Sequence, residues 1–380
     1  LSFHLKILHG DQNGSIMSEQ KNPTKFRAGG LPVLIGSLPT PSHTEAMQWI
    51  LESTPEIPLW PQLPANPHEG MLNQFVADLP CVTEEGARIY YDIQDPGFEE
   101  ALLQFYEAYL QVTENPADLL DSRFQLSRDR VAGLYHLADV AAGNEGLTAL
   151  KAQITGPFTQ LTGLKDQNDR LGYYDATIRD MVVKDIAMKA AWQVTFLKKT
   201  ADLPVLLFID EPALAGLGSS AFISISVNDI TQDLAEAVSA IHLAGGLAGV
   251  HVCANTDWAM LLATEIDIIS FDAYNFFDRF ITCKREIIAF LDRGGIIAWG
   301  VVPTGEQEDI LHSSADSLVA LWEQQAASFS DTDWNLPSLL RQTLITPSCG
   351  TGSLTVDLAR RVLTLTRDVS AALRQKYGSR

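Results

Sequence analysis

The chain has 380 residues, 27 of them basic and 47 acidic, for a formal charge of −20. A surface this acidic repels phosphate backbones, and no basic stripe with interleaved aromatics offsets it, so nucleic acid is excluded as a partner. With 46% hydrophobic and 19% charged residues, the chain has apolar material for a large core. No apolar run nears the roughly 18 residues that a bilayer span needs.

Residues 1–16 precede Met17 and are polar and aperiodic; they read as an extension, and residues 1–30 as a segment outside the fold. Residues 1–15 carry no hydrophobic stretch with a cleavage site, which points to a cytoplasmic protein. The four cysteines, Cys81, Cys253, Cys283 and Cys349, are too few and too scattered for a disulfide framework. In a reducing compartment they are thiols or metal ligands.

From Leu31 onward short apolar runs alternate with segments of helical period, the pattern of βαβ units and a parallel sheet. The runs are residues 31–37, 57–62, 150–155, 205–210, 248–253, 266–272, 296–302 and 344–349. Eight is the number that closes a (β/α)8 barrel, so the expectation is a single α/β TIM barrel over residues 31–380. Helices are expected over 174–199, where Ile178, Met181, Val182, Ile186, Ala190 and Val194 form a stripe, and over 227–243, which Gly245-Gly246 stops. Two more follow at 316–327 and 354–377. One connection is abnormally long: residues 65–148, between the second and third runs, read as a capping insertion. It has a strand near 88–92 and helices over 98–112 and 128–140, with too few apolar residues for a core of its own.

In barrels of this kind the active site lies where the strands end, so the polar residues closing each run matter most. They are Ser37, Gln62, Gln153 with Thr155, Asp210 with Glu211, His251 with Cys253, Asp272, Thr304 and Cys349. His251-Val252-Cys253 puts an imidazole and a thiol on one strand face, close enough to share a tetrahedral metal. Alone it more often describes a core histidine beside a buried thiol. Cys349 ends the eighth run within Thr346-Pro347-Ser348-Cys349-Gly350, where proline and glycine break the strand and leave the thiol at the rim. One histidine and two cysteines form the ligand set that selects zinc, and three protein ligands with an open position mark a catalytic site.

Asp272 is either a fourth ligand, a hydrogen-bond partner of the His251 imidazole, or a helix N-cap. Asp210-Glu211-Pro212 sends two carboxylates from the fourth run, either to clamp a substrate ammonium or nitrogen-rich ring, or to cap the next helix. Ser37 after Gly36 offers a hydroxyl and backbone donors for a carboxylate, or serves only the turn. Acids for an amine and donors for a carboxylate together describe a site for an amino acid. Cys81 and Cys283 are assigned to structure.

At these positions the sequence resembles the catalytic C-terminal barrel of cobalamin-independent methionine synthase, in the superfamily that includes uroporphyrinogen decarboxylase. The carriers are Ile35-Gly36-Ser37-Leu38-Pro39, Gly156-Pro157, Phe208-Ile209-Asp210-Glu211-Pro212-Ala213-Leu214, His251-Val252-Cys253, residues 268–272, and Ile345-Thr346-Pro347-Ser348-Cys349-Gly350. In that family a zinc held by His, two Cys and Glu binds homocysteine through sulfur, which then takes the methyl group of methyltetrahydrofolate. The resemblance implies His251, Cys253 and Cys349 as ligands, with Asp272 in the glutamate's place. It implies Ile35, Gly36, Ser37, Gln62 and Asp210 as substrate-binding residues and Asp210 and Glu211 as working acids. Three departures are legible. The second barrel of the family's longer enzymes has no counterpart, which fits its short single-barrel members; the acid after the second strand is Gln62; and no histidine follows the seventh strand in residues 301–305. That histidine would help protonate a folate leaving group, whereas a methylcorrinoid releases its methyl without a proton. A methylcorrinoid, delivered by a corrinoid protein, is therefore expected as donor beside folate.

Two rivals are weighed. A cofactor-free decarboxylase of the uroporphyrinogen type needs arginines at the mouth, and the region before Ile57 has only Arg27. A non-catalytic barrel that binds zinc or a corrinoid would use the same three ligands.

Overall fold

The computed structural model describes residues 26–76, 78–80, 82–86 and 88–378; the segment before Phe26 and Cys81 lie outside the described residues. Helix α1 (His43–Ser53), a hairpin of β1 (Val82–Glu85) and β2 (Arg88–Tyr91), α2 (Phe98–Glu114) and α3 (Ala132–Ala141) precede β3 (Leu150–Thr155). Helices α4 (Pro157–Gly163) and α5 (Ala176–Thr200) lead to β4 (Val205–Asp210), α6 (Val227–Leu243), β5 (Leu247–Val252) and α7 (Trp258–Leu262). Then come β6 (Ile268–Phe271), α8 (Ala273–Phe280), α9 (Lys284–Asp292) and β7 (Ile296–Val302). The chain ends with α10 (Gln307–His312), α11 (Ala315–Ala326), α12 (Leu336–Arg341), β8 (Thr343–Pro347) and α13 (Val356–Tyr377).

Strands β3 to β8 form one six-stranded parallel sheet in sequence order. Eight ladder strands are expected, and the first two runs do not form ladders. They make isolated parallel bridges instead: Pro32 to Ile345, Ser37 to Gln62, and Leu59 to Lys151. Pro32, Pro58 and Pro61 have no N–H to donate, so neither segment can carry a continuous ladder. Because these bridges join β8 to the first segment and the second segment to β3, the sheet is curled toward itself.

Every residue of β3, β4, β6, β7 and β8 is buried, as befits parallel strands covered on both faces. Alternate residues separate into two apolar layers. Val33, Ala149, Leu206, Phe208, Ile268, Ile296, Ala298 and Leu344 cluster inside the curl, while Val205, Leu207, Ile209, Val250, Ile269 and Ile297 pack under the helices. Each fully buried aliphatic or aromatic side chain contributes about 1.5–3 kcal/mol, an upper figure since the unfolded chain is partly collapsed. The same two-residue period places Lys151, Gln153, Asp210, His251, Ser270 and Thr346 on the inner face toward the strands' C-terminal ends. The interior thus changes from apolar to polar along its axis.

Helix α5 begins at Asp175, whose side chain accepts from Thr177 N and Ile178 N, and it is buried on two sides. One side lies under the sheet; the other receives residues 65–148, where Trp192 Nε1 donates to Leu120 O at 3.2 Å and Lys189 Nζ to Phe75 O at 2.6 Å. Phe75, Phe105, Phe124 and Leu134 belong to the same apolar cluster as the sheet's outer face. Helix α6 stops at Ala244, with Gly245 at φ +80° taking the left-handed position that follows.

Candidate metal centre

His251 sits on the inner face of β5, and Cys253 follows the strand end. Cys349 follows β8, on the turn that Pro347 begins. One ligand atom from each of these three residues lies within 4.8 Å of the others. The strand register explains the imidazole's orientation. His251 pairs with Ser270 on β6, and His251 Nδ1 is 2.9 Å from Ser270 Oγ. The other ring nitrogen, Nε2, is buried and has no hydrogen-bond partner. A buried orphan nitrogen is costly, and one that lies beside two sulfurs is poised to ligate.

The two thiols interact and are shifted in opposite directions. Cys253 is pulled down to about 4, first by its Cys349 neighbour and then by His251, while Cys349 is pushed far above the usual thiol range by Cys253 and by burial. These neighbours favour the thiolate form of Cys253, the form that binds metals. The turn carrying Cys349 is fixed from the first segment: Thr351 N donates to Ser37 O at 3.0 Å and Gly352 N to Ser37 Oγ at 3.1 Å. Ser37, expected to receive a substrate carboxylate, thus also holds the cysteine turn.

The other expected residues fall into place as follows. Asp210 lies 7% exposed next to His251 in register, with Oδ1 buried and unpartnered. Burial raises its pKa, and Lys151 and His251 oppose that rise. Asp272 caps α8: its two oxygens accept from Asn275 N at 2.9 Å and Asn275 Nδ2 at 2.8 Å, and it stands outside the three-atom cluster. Of the roles read for it, the N-cap is the one its hydrogen bonds fill.

Glu211 likewise serves a helix. It accepts from Phe158 N at 2.9 Å, Thr159 N at 2.7 Å and Thr159 Oγ1 at 2.6 Å, pinning the first turn of α4. Gln62 Nε2 donates to Gln74 Oε1 at 2.6 Å, and Gly36 O accepts from Gln62 N. Ile35 O accepts from the buried Lys151 ammonium. In the position where a histidine is missed, Thr304 Oγ1 lies 2.8 Å from Ser348 Oγ. Cys283 is half-buried near Thr282 and away from the cluster.

Desolvation pushes Glu211 up to about 7 from its ordinary 4.5, against the pull of its three hydrogen bonds. The folded state therefore retains this proton longer than the unfolded chain does. The group's contribution is complete below pH 4.5 and is lost as the pH rises to about 7. Wild type should exceed Glu211→Gln in unfolding free energy by an amount that shrinks between those limits. Urea denaturation of both proteins across that range checks this, and a difference independent of pH would contradict it.

Two site residues carry no flag among the strand-end positions. Lys151 lies two residues before the polar end of β3, and Ser270 two before Asp272. The inward period of β3 marks Lys151, and register with His251 marks Ser270. A larger cleft of about 1330 Å³ lies at the opposite end of the strands, lined by Phe26, Arg27, Leu340, Arg341, Arg374 and Tyr377. It holds no nucleophile and no metal-ligand set, and it is remote from the chemistry. Among the described residues no helix is long and apolar enough to cross a membrane.

No family model and no curated protein matches the sequence. Solved structures resemble the chain in shape. A B12-independent methionine synthase from Shewanella sp. W3-18-1, in complex with selenomethionine, aligns at 14% identity and a TM-score of 0.42 over 60% of this chain and 63% of that one. This chain thus spans under two thirds of the Shewanella enzyme. A protein from Listeria monocytogenes assigned as a vitamin-B12 independent methionine synthase aligns at 14% identity and a TM-score of 0.48, over 89% of this chain and 98% of that one. A catalytic module of the pneumococcal exo-β-D-N-acetylglucosaminidase StrH aligns at 8% and a TM-score of 0.43, over 90% and 85%. Likenesses to such different enzymes leave the chemistry of this chain to its own residues.

Proposed function

We propose that this protein is a zinc-dependent methyltransferase that passes a methyl group to a thiol, homocysteine, to give methionine. The bridges of residues 31–37 and 57–62 would complete an eight-membered ring whose mouth is the active site, with residues 65–148 as its cap. The observation that carries the reading is the cluster of a His251 ring nitrogen with the Cys253 and Cys349 sulfurs, all within 4.8 Å at the strands' C-terminal ends, with His251 Nε2 buried and without a hydrogen-bond partner. A donor set of one imidazole and two thiolates suits zinc and leaves a fourth position for a substrate. Zinc bound there lowers the pKa of a thiol and keeps it as thiolate near neutral pH.

The chain's own residues do the rest. Ser270 Oγ holds the His251 ring at Nδ1, and when it accepts the Nδ1 proton the lone pair lies on Nε2. Ser37 holds the turn that presents Cys349. Asp210, whose Oδ1 is buried and without a hydrogen-bond partner, would accept the substrate ammonium. The thiolate sulfur supplies the electron pair of the new S–CH3 bond; the donor–methyl bond breaks and its pair stays with the donor. An amine leaving group needs a proton for this, and Thr304 and Ser348 are poor acids. A methylcorrinoid needs none and is the donor this mouth favours. The named inner-face positions carry one cation, Lys151, and no arginine, so a substrate with several carboxylates is unsuited to it.

The test is metal analysis of the purified protein followed by homocysteine titration monitored by X-ray absorption. About one zinc per chain that gains one sulfur neighbour is expected. Failure to bind any metal after reconstitution would return His251, Cys253 and Cys349 to the role of core and rim residues.

A further inference from the structure

Lys151 is a cation in the interior of the sheet, with 0% exposure. Its ammonium donates to Ile35 O and, at 3.0 Å, to Gln153 Oε1, and it lies 4.8 Å from the centre of the Phe208 ring. Burial draws its pKa down to about 8, with Asp210 acting the other way, so it remains mostly charged at neutral pH. Such a group persists only where its donors are used.

Their use is visible in the backbone. Residues 31–37 and 57–62 form isolated bridges only: Leu31 O accepts from Ile345 N and Pro58 O from Lys151 N, while Ile35 O and Trp60 O take side-chain donors. A side-chain network takes over. Lys151 holds Ile35 O, and Gln153 Nε2 holds Trp60 O at 2.8 Å. Gln193 Nε2 on α5 holds Gln153 O at 3.2 Å, and Gln193 Oε1 accepts from Trp60 Nε1 at 3.0 Å. The first segment, the second segment, β3 and α5 are thereby tied at one point. Ile35 is followed directly by Gly36 and then by Ser37; the backbone and side-chain oxygens of Ser37 hold the cysteine turn.

We propose that Lys151 is the positioning residue of the acceptor subsite: its ammonium fixes the Ile35 carbonyl, and with it the Gly36–Ser37 backbone, and provides the counter-charge beside Asp210. This rests on the thiol-acceptor reading above. Lys151 touches neither the three ligand residues nor the reacting atoms. It acts by presenting two recognition elements, a backbone segment for a carboxylate and an aspartate for an ammonium, in one fixed arrangement. The acceptor class that follows is a thiol bearing a zwitterionic head, discriminated from a plain alkyl thiol by Lys151.

Two readouts on wild type and Lys151→Met test this. In amide hydrogen exchange of the purified protein, a peptide covering residues 35–38 should exchange about 10-fold faster in the variant while peptides from β5 to β8 are unchanged. In cobalt(II)-substituted protein, homocysteine binding followed by the sulfur-to-metal absorption band should weaken about 10- to 100-fold, while 1-propanethiol binds within about 2-fold of wild type. Equal loss for both thiols, no loss for homocysteine, or unchanged exchange at 35–38 would overturn the proposal. If wild type itself binds metal but no homocysteine, the acceptor reading falls, and the exchange measurement still decides whether Lys151 orders this segment. If Lys151→Met does not fold, Gln153→Leu removes one acceptor of the ammonium and should shift both readouts the same way, by about 3-fold. No shift in that variant overturns the proposal as well.

Discussion

Replacing Cys349 with serine should abolish metal retention and methyl transfer together while leaving the fold intact. The residue lies past the end of β8 on a partly buried turn outside the apolar clusters, so its replacement by the isosteric serine creates no core cavity. It is, however, one of three donors within 4.8 Å, and serine's hydroxyl is not deprotonated near neutral pH. Losing even a hydrogen bond that supports a ligand costs about 10- to 100-fold in metal affinity, and losing the ligand itself costs more. After dialysis against a chelator, zinc should fall from about one to below about 0.1 per chain. Cys283→Ser is the control, since that thiol lies outside the cluster, and it should keep its zinc. Full zinc in Cys349→Ser would remove the residue from the ligand set, and unfolding of the variant by circular dichroism would remove the separation between fold and metal.

The strands that build the interior could be read from sequence because both their faces are buried. Residues 205–210 and 296–302 are nearly continuous apolar runs, residues 150–155 alternate Leu, Ala and Ile with polar residues, and the strands have those bounds. The ladder deficit of the first two runs was visible in Pro32, Pro58 and Pro61, but an apolar run with prolines still looks strand-like when counted. The partner of β2, Val82–Glu85, is short, polar and half-exposed, so period alone gave no signal for it. At the site, residue type and the two-residue strand period led to His251, Cys253 and Cys349. What they could not resolve was competition for each side chain. Asp272 and Glu211 are acids at strand ends, which suits catalysis and capping alike; only the Asn275 and Thr159 hydrogen bonds show them occupied by helix N-termini. Lys151 escaped because a lysine inside an apolar strand makes sense only once the carbonyl it holds is known.

Glu211's anchoring role makes the neighbouring glycine a vulnerable point of the mouth. Gly156 ends the third strand region, donates its N–H to Asp210 O, and starts α4 at Pro157. A Cβ added there would stand 2.2 Å from Glu211 Cδ and Oε1 and 2.5 Å from Cγ. The carboxylate cannot yield cheaply: its oxygens are tied to Phe158 N, Thr159 N and Thr159 Oγ1, and its backbone N–H donates to His251 O at 2.9 Å. Gly156→Ala would therefore expel a buried carboxylate from its donors and strand two helix N–H groups, at a cost of about 3–5 kcal/mol. Gly305→Ala, where an added Cβ meets nothing within 4 Å, should stay within about 0.5 kcal/mol of wild type. Urea denaturation measures both. The double variant is the sharper test, because Glu211→Ala removes the atoms that Gly156→Ala would strike. The second substitution should then add far less than it costs alone, a coupling of at least about 2 kcal/mol. Strict additivity would show that the glycine is needed for some reason other than the passage of Glu211.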